Sequence, residues 1–251
     1  MKKHIPNAIT TLNLLCGCLA ITNAFTGELY ISSILIFVAT ILDFMDGAAA
    51  RILKVSHPLG EQLDSLADMI SFGLAPGIIL FQFVKHLNTV NESLFLTENP
   101  WLFYLALIIP LFSAFRLAKF NIDTRQTEGF FGLATPANAG FFIFIVLVYF
   151  YPDLPQIIHT KNIVLPIISN PITMLILGVI FSFLLISEIP MVSLKAKSLR
   201  WTGNELRFTF LGLFFLLFIL LNITAFPVIL LIYIIWSTIL SFSAKKQKPQ
   251  S

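Results

Sequence analysis

Asp43, Asp46, Asp64 and Asp68 lie in a stretch that otherwise reads as membrane-embedded helix. An ionised carboxylate at the centre of hydrocarbon costs roughly 2.5–3.5 kcal/mol even on lenient insertion scales, so four together require a compensating partner. Asp43 and Asp46 are three residues apart and Asp64 and Asp68 four, so each pair projects from one helical face. Turned toward each other, the two faces would build an all-oxygen site for a hard divalent cation. Mg²⁺ and Mn²⁺ favour carboxylate oxygens and share their coordination with substrate phosphates. The pattern therefore predicts phosphoryl-group chemistry assisted by Mg²⁺ or Mn²⁺, with two ions expected. One of the crowded carboxylates is then a candidate general base for an incoming hydroxyl.

The second apolar stretch ends in ILDFMDGAAAR, and the third begins after a short polar turn containing His57 and Pro58. Two helices joined by so short a turn are antiparallel neighbours, and their loop-proximal faces can meet. Gly60, Asp64 and Asp68 recur at four-residue spacing and share a stripe, while Gly47 and Ala50 are small enough to let a bulky ligand approach. Arg51 sits where a guanidinium can grip a phosphate through two parallel hydrogen bonds. Structural ion pairing does not account for the cluster, because Arg51 and Lys54 are the only nearby cations. An ion-coupled carrier is the competing reading. Against it, the chain shows neither an inverted repeat nor matching Gly/Pro-broken helices in two halves.

The elements that must position these residues are membrane helices. The chain is 57% hydrophobic and 12% charged with a mean hydropathy of +0.88, which excludes an ordinary soluble domain. Apolar runs predict an all-α, polytopic helical bundle with spans near 8–25, 30–51, 62–84, 101–118, 133–151, 167–187, 205–222 and 225–242. The last two could instead be re-entrant, since only residues 222–227 separate them. With Lys2 and Lys3 placed in the cytoplasm, successive inner segments carry Arg51 and Lys54, then Arg116, Lys119 and Arg125, then Lys195, Lys197, Arg200 and Arg207, and finally Lys245, Lys246 and Lys248. Only Lys85 and Lys161 fall outside, so both termini and the aspartate cluster are expected to face the cytosol. The net charge of +3 then serves loops that face anionic lipid, not nucleic acid.

The N-terminal apolar stretch lacks a small-residue cleavage site and is diluted by Asn7, Thr10, Thr11 and Asn13, so it is expected to stay as the first helix. Cys16 and Cys18 point about 200° apart on that helix and are expected to serve as small packing residues. Residues 190–201 alternate apolar and basic side chains like a surface-lying helix. Pro76 is expected to kink the third span just beyond the aspartates. The chain reads as one domain, 1–251, with a disordered tail over 243–251.

The arrangement D43-x2-D46-G47-x2-A50-R51-x8-G60-x3-D64-x3-D68 matches at every position the signature of the CDP-alcohol phosphatidyltransferases, which the chain resembles. Those enzymes move a phosphatidyl or similar group from a CDP-linked lipid to an alcohol and release CMP. The resemblance implies that Asp43, Asp46, Asp64 and Asp68 ligate metal and that Asp68 also acts as general base. It places Gly47, Ala50, Gly60 and Arg51 around the cytidine nucleotide, together with Asn7 and Thr10 of the first helix, where Pro6-Asn7-Ala8-Ile9-Thr10 fits the family's Pro-Asn…Thr motif. It also implies a cytosol-facing site in the inner membrane and a homodimer.

The acceptor is narrowed by further strings. Many glycerol-phosphate-using members carry Arg where this chain has Asn13. PNAITTLNLLCG, LDSLADMISFGLAPG (63–77), FRLAKFN (115–121) and FFGLATPANAG (130–140) instead resemble the serine-using, integral-membrane bacterial branch of the family, over residues 5–140. Substrates are then expected to be CDP-diacylglycerol and L-serine, with glycerol 3-phosphate, inositol phosphate or an amino alcohol as alternative acceptors. Arg116 and Asn121 in the third cytoplasmic segment, Thr135 and Asn138 at the start of the fifth span, and Asn13 are the candidate acceptor-binding residues.

Overall fold

The computed structural model describes residues 4–55, 58–122, 130–151, 160–191 and 204–246. It is all-α apart from one two-residue strand pairing. The helices are α1 (His4–Phe25), α2 (Leu29–Leu53), α3 (Pro58–Asp68), α4 (Ala75–Asn91), α5 (Leu94–Glu98), α6 (Ile108–Ile122), α7 (Thr135–Phe150), α8 (Lys161–Ile168), α9 (Pro171–Ile186), α10 (Glu205–Leu221) and α11 (Ala225–Lys246). A π-helical segment, Met69–Leu74, joins α3 to α4, and a 3₁₀ segment, Pro100–Leu107, leads into α6. The strands β1 (Phe130–Phe131) and β2 (Pro190–Met191) pair antiparallel, Phe130 opposite Met191 and Phe131 opposite Pro190.

Each of the eight expected apolar stretches is helical, but the number long and apolar enough to cross a membrane is smaller. Among the described residues five qualify: His4–Phe25, Leu29–Leu53, Pro58–Asn91, Pro100–Ile122 and Phe208–Leu240. A sixth counts if Asn162–Ile168 and Pro171–Ile186, bent by 78° at their junction, form one broken span. That bend has a local cause, because Pro171 cannot donate within the ladder and Asn170 caps the new helix by accepting from the Ile172 and Thr173 amides. The expected span at 133–151 is the short α7, whose side chains are buried along most of its length. Phe208–Leu240 is folded on itself: the Phe210 ring lies 6.0 Å from Tyr233 and 6.1 Å from Trp236, contacts that only a hairpin allows. Asn222, in the left-handed region at φ 51°, starts its turn.

The core lies where π segment, α4 and α7 meet, with Phe72, Ile79, Leu80, Phe83 and Phe142 at 0–1% exposure. Close approach depends on small residues facing bulky ones. A Cβ on Gly17 of α1 would stand 2.5 Å from Ser71 Oγ and 2.9 Å from its Cα, and one on Gly77 would stand 2.6 Å from Pro110 Cδ. These contacts seat α1 and α6 directly on the stretch that follows the third and fourth aspartates.

At Pro76, where a kink is expected, the helical ladder changes. The missing proline N–H cannot close the α-helical ladder, and the chain widens by one residue, with the Ala75 amide donating to the carbonyl of Ile70, five positions back. Pro58–Asn91 then continues as one helix of 34 residues. Residues 190–191 of the expected surface helix form β2, and 192–201 lie outside the described residues. Helix α11 runs to Lys246, into the segment expected as a tail from 243, and residues 247–251 lie outside the described residues.

Gly17→Ala should force α1 off the π segment and lower stability by about 1–3 kcal/mol, the usual cost of overpacking. Thermal unfolding in detergent checks this, and an unchanged midpoint would contradict the packing described.

Candidate active site and metal centre

Helix α2 delivers Asp43 and Asp46 near its end, and a four-residue link to the start of α3 lets Asp64 and Asp68 come back against them. The end of α2 is closed by backbone bonds, Lys54 N–H to the Arg51 carbonyl at 3.2 Å and Val55 N–H to the Ala50 carbonyl at 3.0 Å. Pro58 opens α3, where its fixed φ and absent donor suit the first helical position. One carboxylate oxygen each from Asp43, Asp64 and Asp68 then lies within 4.8 Å of the other two. Asp64 Oδ1 and Asp68 Oδ1 are buried and have no hydrogen-bond partner among the described residues. Three converging carboxylates with two unsatisfied buried oxygens suit a hard divalent cation, and the absence of His or Cys from the set favours Mg²⁺ or Mn²⁺ over softer metals.

Asp46 stands slightly apart. It is 6% exposed and accepts a hydrogen bond of 2.7 Å from Thr10 Oγ1 on α1. With Thr10 it lines a cavity of about 430 Å³ between the ends of α1, α2 and α3. Every residue expected around the nucleotide lines that cavity: Asn7, Thr10, Gly47, Ala50, Arg51 and Gly60, with Asp64 at its inner wall. The small residues leave the room, as a Cβ on Gly60 would stand 3.0 Å from Asn7 Oδ1. Sequence reasoning missed Pro6, Lys54, Val55 and Glu61, which complete the lining. Lys54 closes α2 in the left-handed region (φ 52°), where glycine is usual, and its sequence signal was its place beside Arg51 and the aspartates.

Past Asp68 in the chain, the π segment packs against α1, α6 and α7. Each contributes buried polar groups without a partner among the described residues: both side-chain amide atoms of Asn13 and of Asn138, Ser113 Oγ and Thr135 Oγ1. Leaving such groups unpaired costs roughly 1–3 kcal/mol each, so each calls for a polar partner. Arg116 is buried on α6 as well. The side chain is 8% exposed, donates from Nε to the Leu133 carbonyl at 3.2 Å, lies over the Phe120 ring and interacts electrostatically with Asp68. Asn13, Arg116, Thr135 and Asn138 thus fall on the helices around Asp68. Asn121 does not join them: it is exposed and exchanges hydrogen bonds with Ser65 of α3. Arg125 and His57 lie outside the described residues.

The family model for CDP-alcohol phosphatidyltransferases matches residues 3–202, and the chain belongs to that family. Among curated proteins it is 34% identical over 134 residues to the CDP-diacylglycerol–serine O-phosphatidyltransferase of Bacillus subtilis (strain 168), covering 53% of this chain and 70% of that one. It is 30% identical over 148 residues to the protein of the same name from Helicobacter pylori (strain ATCC 700392 / 26695), covering 57% and 56%. It is 31% identical over 154 residues to the archaetidylserine synthase of Methanothermobacter thermautotrophicus, covering 60% of each chain. The match thus spans less than two thirds of the latter two relatives.

A cation held by the three carboxylates would bind the folded chain alone and stabilise it, by about 2.7 kcal/mol at a hundred times its Kd. Saturating Mn²⁺ is therefore expected to raise the melting temperature in detergent and to do so far less in Asp43→Asn or Asp64→Asn. An equal rise in all three proteins would contradict a site at these residues.

Proposed function

We propose that the protein transfers the phosphatidyl group of CDP-diacylglycerol to the hydroxyl of L-serine, giving phosphatidylserine and CMP. The observation that carries this is a carboxylate cluster beside a cavity lined by the family's signature residues, with unpartnered buried polar groups on the helices packed against the π segment that follows Asp68. The relatives support the acceptor. Two are named for serine and CDP-diacylglycerol, and the third is named for archaetidylserine, so the amino acid in the name persists where the lipid differs.

The cytidine nucleotide would occupy the cavity beside Arg51 and Lys54, with Gly47, Ala50 and Gly60 clearing its path and the acyl chains extending into lipid. Asp43, Asp46, Asp64 and Asp68 would hold Mg²⁺ or Mn²⁺, two ions in our reading, which supply charge stabilisation to the pyrophosphate oxygens. Serine enters among these buried polar groups, where Arg116 meets its carboxylate and Asn13, Thr135 and Asn138 meet its remaining polar groups. Asp68 accepts the hydroxyl proton as the oxygen attacks the phosphorus that bears diacylglycerol. A new P–O bond to serine forms, the P–O bond to CMP breaks, and the proton rests on Asp68. Holding the hydroxyl roughly 3–3.5 Å from phosphorus is the main service of the fixed helices.

The same reading places the chain in the cytoplasmic membrane as a homodimer, with eight crossings once α7, the bent α8–α9 pair and both limbs of the 208–240 hairpin are each counted, both termini inside and the reaction centre facing the cytosol. The charge bias of the loops supports this orientation, because Lys85 and Lys161 alone lie on the opposite side.

Membranes containing the protein should convert CDP-diacylglycerol and labelled serine to lipid-soluble label with stoichiometric CMP, and EDTA should abolish the conversion. CMP release only with glycerol 3-phosphate or inositol phosphate would overturn the serine acceptor. No CMP release with any acceptor tested would favour the carrier reading. Asp68→Asn should keep the fold and lose at least 100-fold in turnover, the scale of positioned acid–base catalysis; undiminished turnover would remove Asp68 from its role. Lys54→Gly should relieve the positive-φ cost at the end of α2 and leave stability equal or higher, while raising the KM for CDP-diacylglycerol several-fold. An unchanged KM would place that lysine outside the donor site.

A further inference from the structure

The orientation of Arg116 is set from a distance. A guanidinium is planar, with its five N–H donors in a fixed fork, so engaging Nε determines where the terminal nitrogens point. Nε is engaged by the Leu133 carbonyl at 3.2 Å, and the cation lies 5.0 Å from the centre of the Phe120 ring. The place of the Leu133 carbonyl is in turn fixed by the end of α9. Leu133 N–H donates to the Leu184 carbonyl at 2.9 Å, and Gly132 N–H to the Ile189 carbonyl at 3.0 Å. The pairing of β1 with β2 continues the same register one residue earlier.

Gly132 is the residue that permits this seat. Its φ of 73° lies in the left-handed region, which side chains other than glycine rarely adopt. A Cβ there would stand 2.5 Å from the carbonyl oxygen of Leu185, 2.8 Å from that of Ser187 and 3.2 Å from that of Leu184. These are backbone atoms at the close of a helix and cannot swing aside as a flexible side chain would. Any larger residue must lift residues 132–133 off α9, and the Leu133 carbonyl moves with them.

We infer that Gly132 is a positioning residue: it seats the β1–α7 link on the carbonyl end of α9, aims the Leu133 carbonyl at Arg116, and so holds the guanidinium beside Asp68 for the acceptor step. The inference rests on the reading of Arg116 and Asp68 given above. It makes the acceptor half of the site depend on α9 and residues 184–191, none of which touches the donor cavity.

The test uses the full chain in lipid–detergent micelles with CDP-diacylglycerol, serine and Mn²⁺. Gly132→Ala should lower kcat/KM for serine at least tenfold while leaving the KM for CDP-diacylglycerol and the Mn²⁺-induced rise in melting temperature within twofold of the parent. In an Arg116→Lys background, which keeps the charge but loses the Nε contact, Gly132→Ala should cost less than a further twofold. Multiplying losses in the double variant, equal weakening of donor and acceptor, or full turnover of Gly132→Ala would each overturn the inference. Should Gly132→Ala not yield folded protein, Leu133→Gly, which keeps both amide donors yet frees the carbonyl to turn, carries the same expected and contrary results. A parent protein that releases no CMP with serine would defeat the proposed function itself, a failure distinct from that of Gly132.

Discussion

The constraint on which the rest of this structure depends is the cost of bringing carboxylates together inside a low-dielectric bundle. Asp43, Asp64 and Asp68 converge to within 4.8 Å, and among the described residues the repulsion is offset only in part, by Arg116 beside Asp68. What the protein supplies is rigidity and partial relief around the edge. Thr10 takes Asp46 in a hydrogen bond, Arg116 sits beyond Asp68, and the packing of α1 and α6 on the π segment leaves the aspartate helices little freedom to separate. A fold that resists the natural spreading of like charges is one that stores a preference for divalent cations and for the phosphates that accompany them. The cavity lies between the ends of α1, α2 and α3, while the helices packed on the π segment after Asp68 carry buried polar groups without a partner among the described residues.

The π segment has a specific part in this geometry. Pro76 removes one backbone donor, and the chain widens over Met69–Leu74 instead of breaking. The widened turn begins at the residue after Asp68. It brings Ser71 against α1, where Oγ donates to the Asn13 carbonyl, and Gly73 against Ser113 of α6, whose Cβ would be 3.0 Å from a Cβ on Gly73. Departures from the α-helical ladder of this kind recur at functional sites because they re-aim side chains without ending the helix.

The aspartate spacing was legible in the sequence because it is local: three- and four-residue intervals on a helix put side chains on one face whatever the tertiary context. The small residues of the donor cavity were legible for the same reason, together with the short link that makes α2 and α3 antiparallel. Features set by contacts distant in the chain were not. That Asp46 is held by Thr10, 36 residues earlier, and that Asn121 turns to Ser65, 56 residues away, depends on helix packing that no local pattern encodes. Hydropathy located each apolar stretch but not its fate, since α7 is buried among its neighbours and the stretch over 162–186 bends by 78° at Pro171. Gly132 was visible only as one glycine in FFGLATPANAG; its meaning lies in the carbonyls of α9 that crowd it. Lys54, by contrast, could have been found, being with Arg51 one of the two cations beside the aspartates in the sequence.

If one centre, built on Asp43, Asp64 and Asp68, serves both the CDP-lipid and its acceptor, a structure of the protein in lipid with Mn²⁺ and CDP-diacylglycerol will show it, the manganese being located by anomalous scattering. Manganese is expected among these carboxylates, the cytidine against Gly47, Ala50 and Gly60, and the phosphorus bearing diacylglycerol within reach of Asp68. Manganese bound elsewhere, or a nucleotide seated away from those small residues with the three carboxylates free of metal, would contradict a shared centre.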